Sequence, residues 1–139
     1  VDFAHTPDGL VKVLEAARGF TRGRLWAVFG AGGDRDPAKR PLMGEVVSRL
    51  ADVAVVTSDN PRSEEPSAII GDIMKGVAPG GEVHIEPDRA KAIELALREA
   101  REGDVVIICG KGHETTQEIK GVKYPFDDRE TVRNFRRGE

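Results

Sequence analysis

Cysteine and histidine are scarce in this 139-residue sequence, which contains one cysteine and three histidines. A single cysteine excludes an internal disulfide framework. Because Cys109 ends the apolar run of residues 105–109, we interpret it as a buried small hydrophobic residue and not as a catalytic thiol. The histidines at positions 5, 84 and 113 lack the spacing of metal ligands, so no metal site is predicted.

Long apolar runs and a strong net charge are missing as well. No stretch approaches the ~20 apolar residues that cross a bilayer, and the first residues lack the basic and apolar regions of a signal peptide. The net charge of −3 is too weak to indicate nucleic acid or an anionic membrane as a partner. We expect a cytoplasmic monomer without either partner. Because the chain begins without Met in a segment that looks ordered, we also expect it to be part of something larger.

What the sequence does contain is an alternation of strand and helix patterns. Near-continuous apolar, β-branched runs predict strands at residues 24–30, 52–57, 82–86 and 104–110. Amphipathic patterns predict helices at residues 8–17, 41–50, 66–77 and 90–101, the last capped by Asp88. Lys120-Gly121 predicts a hairpin turn, and a final helix is predicted to begin at Asp127 or Asp128 and to fade into residues 136–139.

This order of elements predicts an α/β fold, namely a Rossmann-like, doubly wound and mostly parallel sheet with a C-terminal hairpin and helix. The length fits a single domain over residues 1–139. Ligands of such sheets bind beyond the carboxyl ends of the strands. The site is therefore expected in the loops of residues 30–40, 57–65, 86–88 and 110–114.

The first of these loops is rich in glycine. Such a turn between a strand and a helix is typical of phosphate binding, but the third glycine of a dinucleotide fingerprint would fall at position 35, which is Arg. No Walker A pattern occurs either. The glycines therefore indicate either phosphate binding or only a tight turn. Arg35 is either the anchor of a local ion pair or a contact for a ligand carboxylate.

The second loop contains a stiff turn. Pro61 restricts Asn60 to an extended conformation, and a turn that projects Asn60 and Arg62 from a strand end suits a carboxylate ligand. The alternative is a solvated surface turn in which Arg62 pairs with Glu64 or Glu65.

The third loop, residues 110–114, has two glycines that would let a ligand approach the backbone closely. Glu114 could hold an ammonium group. His113 is either a base or, more simply, a hydrogen-bonded loop residue, since neither Ser nor Cys stands beside it. Together the loops offer two arginines, an amide and a carboxylate, which suit a small zwitterion with an additional carboxylate.

Four segments in order resemble the C-terminal domain of the Mur ligases, over nearly the whole chain. Residues 1–7 are similar to the segment that opens this domain, with Phe3 in place of the usual Tyr. Residues 29–43 resemble its glycine-rich loop and following helix. Asp59-Asn60-Pro61-Arg62 resembles the recognition motif of the branch that adds meso-diaminopimelate, and residues 110–114 resemble the next substrate loop of that branch.

The resemblance implies an ATP-dependent ligase. Such an enzyme uses ATP to phosphorylate the terminal carboxylate of UDP-N-acetylmuramoyl-L-alanyl-D-glutamate, and the amine of meso-diaminopimelate then attacks the acyl phosphate. The P-loop, the magnesium ligands and a carbamylated lysine belong to a central domain, and the UDP sugar binds an N-terminal domain. Both domains are absent from residues 1–139. The resemblance thus implies that this chain has no catalytic residue, binds ATP and Mg²⁺ only marginally, and is inactive alone.

The resemblance also assigns roles to individual residues. It implies that Asp59, Asn60 and Arg62 bind the far end of the amino acid and that Arg35 binds another carboxylate. It implies that Gly110 and Glu114 bind the ammonium group. On the nucleotide side, it implies that Asp2 contacts the ATP ribose and that His5 lies near the nucleotide. Three other functions remain open, namely a free-standing nucleotide-binding module, a non-catalytic interaction domain and a lysine- or ornithine-adding ligase. Arg62 argues against the last, because lysine has no second carboxylate to pair with it.

Overall fold

In the computed structural model, which describes residues 1–135, helices and strands alternate along the chain. The helices are α1 (Pro7–Arg18), α2 (Lys39–Leu50), α3 (Pro66–Met74), α4 (Arg89–Glu99) and α5 (Asp128–Asn134). The strands are β1 (Leu25–Phe29), β2 (Val53–Val56), β3 (Glu82–Ile85), β4 (Val105–Ile108), β5 (Thr116–Ile119) and β6 (Val122–Pro125). All the predicted elements are present, including the turn at Lys120-Gly121. Residues 136–139, into which the last helix was predicted to fade, lie outside the described residues.

The first four strands form a parallel sheet in the order β3-β2-β1-β4. One apolar cluster joins this sheet to α1, α2 and α3, and a second joins it to α4 and α5. Since β4 lies on the opposite side of β1 from β2 and β3, the direction of winding reverses between β1 and β4. This arrangement confirms the doubly wound fold and places the switch point, where such sheets bind ligands, at the carboxyl ends of β1 and β4.

The central strand β1 shows why these runs are continuously apolar. Leu25, Ala27 and Phe29 face the first cluster, whereas Trp26 and Val28 face the second. All five side chains are buried, since successive residues of a strand point to opposite faces and both faces are covered by helices.

Two segments outside the sheet extend its carboxyl edge. Asp2 forms a parallel bridge with Cys109, so the N-terminal segment runs beside β4 before Thr6 caps α1. The antiparallel pair of β5 and β6 does not join the sheet; instead, Ile119 bridges to Arg62 in the loop after β2. The loop after β2 and the loop after β4 are therefore each bordered by a segment that is distant in sequence.

Cys109 is fully buried, and burial raises the pKa of its thiol to about 12. This environment agrees with a small hydrophobic residue, because a thiol that does not ionise near neutral pH is a poor nucleophile. Among residues 1–135, no helix combines the length and apolarity needed to cross a bilayer.

A buried ion pair joins α4 to α5 on the same side of the sheet. Arg89, at the start of α4, donates from Nε and Nη2 to the carboxylate of Asp128 at 2.8 and 2.6 Å, and neither side chain is exposed. Its Nη1 donates to Ser58 O at 2.9 Å, and its Nη2 donates to Cys109 O at 3.0 Å. One guanidinium therefore holds the chain just beyond β2 and β4 at a fixed separation, against α4 and α5.

We expect Asp128→Asn to lower the free energy of unfolding by about 3–5 kcal/mol, because it leaves the Arg89 charge buried without its partner. Urea unfolding followed by circular dichroism measures this change. Glu130→Gln, which alters an exposed acid on the same helix, is the control and should change stability by less than about 0.5 kcal/mol. Equal effects of the two substitutions would contradict a structural role for the pair.

Candidate functional site

A pocket of about 450 Å³ opens at the carboxyl edge of the sheet, between the loops that follow β1, β2 and β4. Every residue predicted to bind substrate lines it, namely Arg35, Asp59, Asn60, Arg62, Gly110 and Glu114. His5, predicted near the nucleotide, also lines the pocket. Asp2 does not, and lies instead in a shallower groove beside α1.

The side chain of Asn60 is held in one orientation. Its Oδ1 accepts hydrogen bonds from Lys111 Nζ at 2.9 Å and from the backbone N–H of Glu118 at 3.0 Å. A carbonyl oxygen has two lone pairs, so both are used. Within residues 1–135, its Nδ2 donates to no protein group. The two N–H groups are therefore available to a ligand in the pocket.

Arg62 adopts a left-handed backbone conformation, with a φ of 53°, which is unfavourable for a residue other than glycine. Strand β5 stabilises it on both sides: Arg62 N donates to Glu118 O at 2.9 Å, and Lys120 N donates to Arg62 O at 2.5 Å. The hairpin therefore fixes the direction in which this arginine leaves the main chain.

The guanidinium of Arg62 is only partly engaged. Its Nη1 donates to Gly33 O at 2.9 Å, and its Nε lies 3.6 Å from Glu118 Oε1. Pairing with Glu64 or Glu65, the alternative drawn from the sequence, does not occur, because Glu64 pairs with Arg40 and Glu65 lies near Lys120. No group of the described residues accepts from Nη2, which leaves donor capacity for a carboxylate in the pocket.

The glycine-rich loop packs directly against the loop after β2. A Cβ on Gly30 would lie 2.4 Å from Thr57 O, and a Cβ on Gly33 would lie 1.8 Å from Pro61 O. Gly33 N also donates to Asn60 O at 2.7 Å. These glycines permit close contact between two loops, and this contact favours the tight-turn interpretation over phosphate binding.

Arg35 extends from this loop into the pocket and is exposed. It donates to the carbonyl of Asp34 at 3.0 Å, and within residues 1–135 it forms no ion pair. The local ion-pair alternative is therefore not observed in the described residues. Arg35 and Arg62 line the same pocket, together with Asp36.

Two acidic side chains meet where the third loop, residues 110–114, approaches the loop after β2. Gly110 has a φ of 115°, and a Cβ there would lie 2.5 Å from Asp59 Oδ2, so the close approach of these loops requires glycine. Lys111 Nζ lies 3.6 Å from both Asp59 Oδ1 and Glu114 Oε1. Two carboxylates share one ammonium, so this side of the pocket has an excess of one negative charge.

The family of the chain follows from comparison with known proteins. The profile of the family described as "Mur ligase, glutamate ligase domain" matches residues 1–112. The chain belongs to the Mur ligase family. This result confirms the resemblance drawn from the sequence motifs.

Close relatives of this Mur ligase domain carry one name. The UDP-N-acetylmuramoyl-L-alanyl-D-glutamate–2,6-diaminopimelate ligase of Aquifex aeolicus is 53% identical over the whole chain, which spans 29% of that protein. The ligase of the same name from Gloeobacter violaceus is 57% identical over 96% of the chain, which spans 27% of that protein. The chain thus spans little more than a quarter of the length of these relatives.

Solved structures agree with the sequence relatives. A structure of a ligase with the same name superposes with a TM-score of 0.91 at 47% identity, and covers 94% of this chain and 27% of that one. The murein peptide ligase Mpl of Psychrobacter arcticus superposes with a TM-score of 0.58 at 19% identity, covering 79% of this chain and 23% of that one, which shows likeness of fold alone.

The two residues predicted near the nucleotide lie at the edge of the Mur ligase domain. Asp2 Oδ1 accepts from the backbone N–H of Ala4 at 2.9 Å, and Asp2 N donates to Ile108 O at 2.8 Å. The His5 ring lies edge-on to Phe3, with centroids 4.8 Å apart. Their roles toward ATP stay predictions.

Within residues 1–135, no group of three or more His, Cys, Asp or Glu side chains is arranged to hold a metal ion.

His113 stacks on the other side of this small aromatic group. Its ring centroid lies 6.2 Å from that of Phe3, and its backbone carbonyl accepts from Arg129 Nη2 at 3.4 Å. These contacts agree with the interpretation of His113 as a hydrogen-bonded loop residue.

Three buried cations around the site were not predicted from the sequence: Arg40, Arg89 and Lys111. Arg40, in α2, donates to Glu64 at 2.7 Å and to Asp72 at 3.0 Å. It thereby connects α2 to the loop after β2, which contains Glu64, and to α3, which contains Asp72. Arg40 and Arg89 begin helices, where charged residues are usually solvated. Lys111 carried a usable signal, because a lysine between two glycines directly after a buried strand has little room to reach solvent.

Arg40 makes the stability of this domain dependent on pH. Its hydrogen bonds lower the pKa of Glu64 and of Asp72 below their ordinary values of 4.5 and 3.8. A carboxyl group with a lowered pKa stabilises the folded state above its unfolded pKa, and this contribution is lost as the pH falls through the folded pKa.

We therefore expect Arg40→Met to destabilise the fold most above pH 4.5, and its effect to shrink on acidification as Glu64 and Asp72 become protonated. Urea unfolding of both proteins at several pH values between about 7 and 3 measures the difference. Arg49→Met, which removes an exposed arginine of α2 paired with Glu45, is the control and should have a small effect throughout. A pH-independent effect of Arg40→Met would exclude this linkage.

Proposed function

We propose that this chain is the amino-acid-binding domain of an ATP-dependent ligase that adds meso-diaminopimelate to UDP-N-acetylmuramoyl-L-alanyl-D-glutamate in peptidoglycan synthesis. Relatives that are 51–57% identical to this chain are named as ligases of this type, which supports the proposal. Because the chain spans about 29% of the A. aeolicus ligase, the UDP-binding and ATPase domains would lie outside residues 1–139.

The observation that carries this proposal is the distribution of charge in one pocket. Arg35, Arg62 and the free N–H groups of Asn60 line it together with Asp59 and Glu114, which share the Lys111 ammonium. Arg40 lines it as well, but its guanidinium is paired with Glu64 and Asp72. Guanidinium and amide donors suit carboxylates, and an excess of negative charge suits an ammonium group. The pocket therefore fits an amino acid that carries a second carboxylate.

We assign each residue one contact with meso-diaminopimelate. Arg62, Asn60 and Asp59 would bind its far end, and Arg35 would bind another carboxylate. Glu114 and the backbone of Gly110 would hold an ammonium group. These contacts orient the amino acid so that its reacting amine faces the precursor, and orientation alone can contribute several kcal/mol to catalysis.

We place no phosphate or magnesium site on residues 1–135. The glycine-rich loop is filled by residues 57–61, and the described residues contain no metal-binding cluster. ATP supplies the activation of the precursor's carboxylate, and we place ATP and Mg²⁺ mainly on the domains outside this chain. Asp2 and His5 would contact the nucleotide from the edge. A cytoplasmic, monomeric enzyme is the simplest setting for a nucleotide-linked, water-soluble precursor.

A lysine-adding ligase is the nearest alternative. Lysine would leave Arg62 facing the pocket without a carboxylate, and an unpaired charge in a closed site is costly. A free-standing nucleotide-binding module is disfavoured by the close contact of Gly30 and Gly33 with their neighbours. Binding experiments separate these functions.

We expect isothermal titration calorimetry to detect binding of meso-diaminopimelate to this chain, and to detect much weaker binding of L-lysine. Arg62→Ala should weaken the binding of meso-diaminopimelate by roughly 10- to 100-fold, since hydrogen bonds to charged groups contribute about 1.5–3 kcal/mol. Arg98→Ala on the exposed side of α4 is the matched control. Equal affinity for the two amino acids, or no effect of Arg62→Ala, would sink the assigned specificity.

The reaction can be tested in a chimera in which this chain replaces the matching segment of the A. aeolicus ligase, which is 53% identical over 139 residues. We expect the chimera to ligate meso-diaminopimelate in the presence of ATP and Mg²⁺, and the isolated chain to give no turnover. Arg62→Ala in the chimera should lower kcat/KM for meso-diaminopimelate by at least roughly 10-fold. A chimera that prefers lysine would support the alternative.

A further inference from the structure

A lysine lies beneath the pocket without lining it. The Lys111 side chain is fully buried, although lysine is seldom buried unless it is paired. Burial lowers the pKa of its ammonium group, whereas Asp59 and Glu114 oppose that change. A buried charge of this kind is maintained only by specific partners.

The partners of Lys111 belong to three segments that meet below the pocket. Its Nζ donates to Asn60 Oδ1 at 2.9 Å, in the loop after β2, and to Thr116 O at 2.7 Å, at the start of β5. An ammonium group has three donors, and these two bonds use two of them. Nζ also lies 3.6 Å from Asp59 Oδ1 and 3.6 Å from Glu114 Oε1, so it forms an ion pair with each carboxylate.

These contacts determine which face of the Asn60 amide the pocket presents. With Oδ1 held by Lys111 and by Glu118 N, the Nδ2 group is the side left for a ligand. Without Lys111, only the bond from Glu118 N would oppose a rotation that exchanges the two ends of the amide. The rotated amide would present its oxygen to a ligand carboxylate, which is repulsive.

Lys111 also sets the charge of the pocket. Asp59 is 6% exposed; among the described residues its carboxylate forms an ion pair only with the Lys111 ammonium, and Arg89 acts on it from farther away. Loss of that ammonium would leave two carboxylates at the pocket with no shared cation. The negative charge on this side of the pocket would rise by one, which disfavours a ligand carboxylate beside Asn60.

We propose that Lys111 is a positioning residue for amino-acid binding: it fixes the Asn60 amide with its N–H groups toward the pocket and sets the charge of the Asp59–Glu114 pair. It does so without contacting the ligand. The identity of the ligand rests on the proposed function, whereas the orientation of Asn60 does not.

The first test uses the 139-residue chain without ligand. The side-chain NH₂ signal of Asn60 is assigned in a ¹⁵N–¹H correlation spectrum by its loss in Asn60→Ala. In Lys111→Met, we expect this signal to move and its {¹H}–¹⁵N Overhauser effect to fall, because the amide becomes mobile. Lys91→Met, an exposed lysine of α4, and Ile73→Val, a core change in α3, should leave the signal unchanged. An unchanged Asn60 signal in Lys111→Met would overturn the proposal.

The second test measures binding of meso-diaminopimelate by calorimetry. We expect Lys111→Met to raise Kd by roughly 10- to 100-fold. The combination of Asn60→Ala with Lys111→Met should raise Kd by clearly less than the product of the two single effects, because Lys111 acts partly through Asn60. A purely structural role would instead lower the melting temperature and leave Kd unchanged in Lys111→Met, which would overturn the proposal. Two single effects on Kd that multiply in the double variant would also overturn it.

Two further outcomes remain decisive. If the unsubstituted chain binds no meso-diaminopimelate, the proposed function fails for this chain, and the Asn60 signal alone decides the role of Lys111. If Lys111→Met does not fold, the unsubstituted chain is used at low temperature. A slowly exchanging Lys111 ammonium signal with Overhauser contacts to the Asn60 side chain supports the proposal, and a rapidly exchanging one overturns it.

Discussion

The buried guanidinium of Arg89 is the constraint on which the rest of the site depends. It is buried, and its bonds to Asp128, Ser58 O and Cys109 O satisfy four of its five N–H donors. The two carbonyls lie just beyond β2 and β4. The loop after β2 and the loop after β4 therefore begin at a fixed distance from each other. Every later contact across the pocket, including that of Lys111 with Asn60, requires this spacing.

The elements of the fold could be predicted because their signals are local. Residues 25–29 are continuously apolar since both faces of β1 are covered, and Asp88 precedes a helix whose first turn its carboxylate caps. The pairing of Arg62 with Ile119 could not be predicted, because it joins a turn to a hairpin that is distant in sequence. Periodicity indicates which face of an element is buried, and it does not indicate which loop another loop contacts.

The same division applies to the site. Parallel topology predicts that loops after strands converge, and the six predicted substrate residues do line one pocket. The partners that orient them were not predictable. For Arg62 the sequence suggested only its neighbours Glu64 or Glu65 as ion-pair partners, whereas in the fold its partner is Glu118. Residues close in sequence were overvalued as partners, and buried cations were undervalued because charged residues are usually solvated.

The clamp of β5 on Arg62 bears on how substrate preference could be transplanted between proteins of this family. Residues 59–62 cannot be transferred to another protein by themselves, because Gln117, Glu118 and Lys120 of the hairpin hold their backbone and side chains. Under the proposed function, selectivity would depend on two distant stretches of chain together. A graft of residues 59–62 alone would transfer Arg62 without the contacts that fix the direction of its side chain. A useful exchange must therefore include residues 116–120.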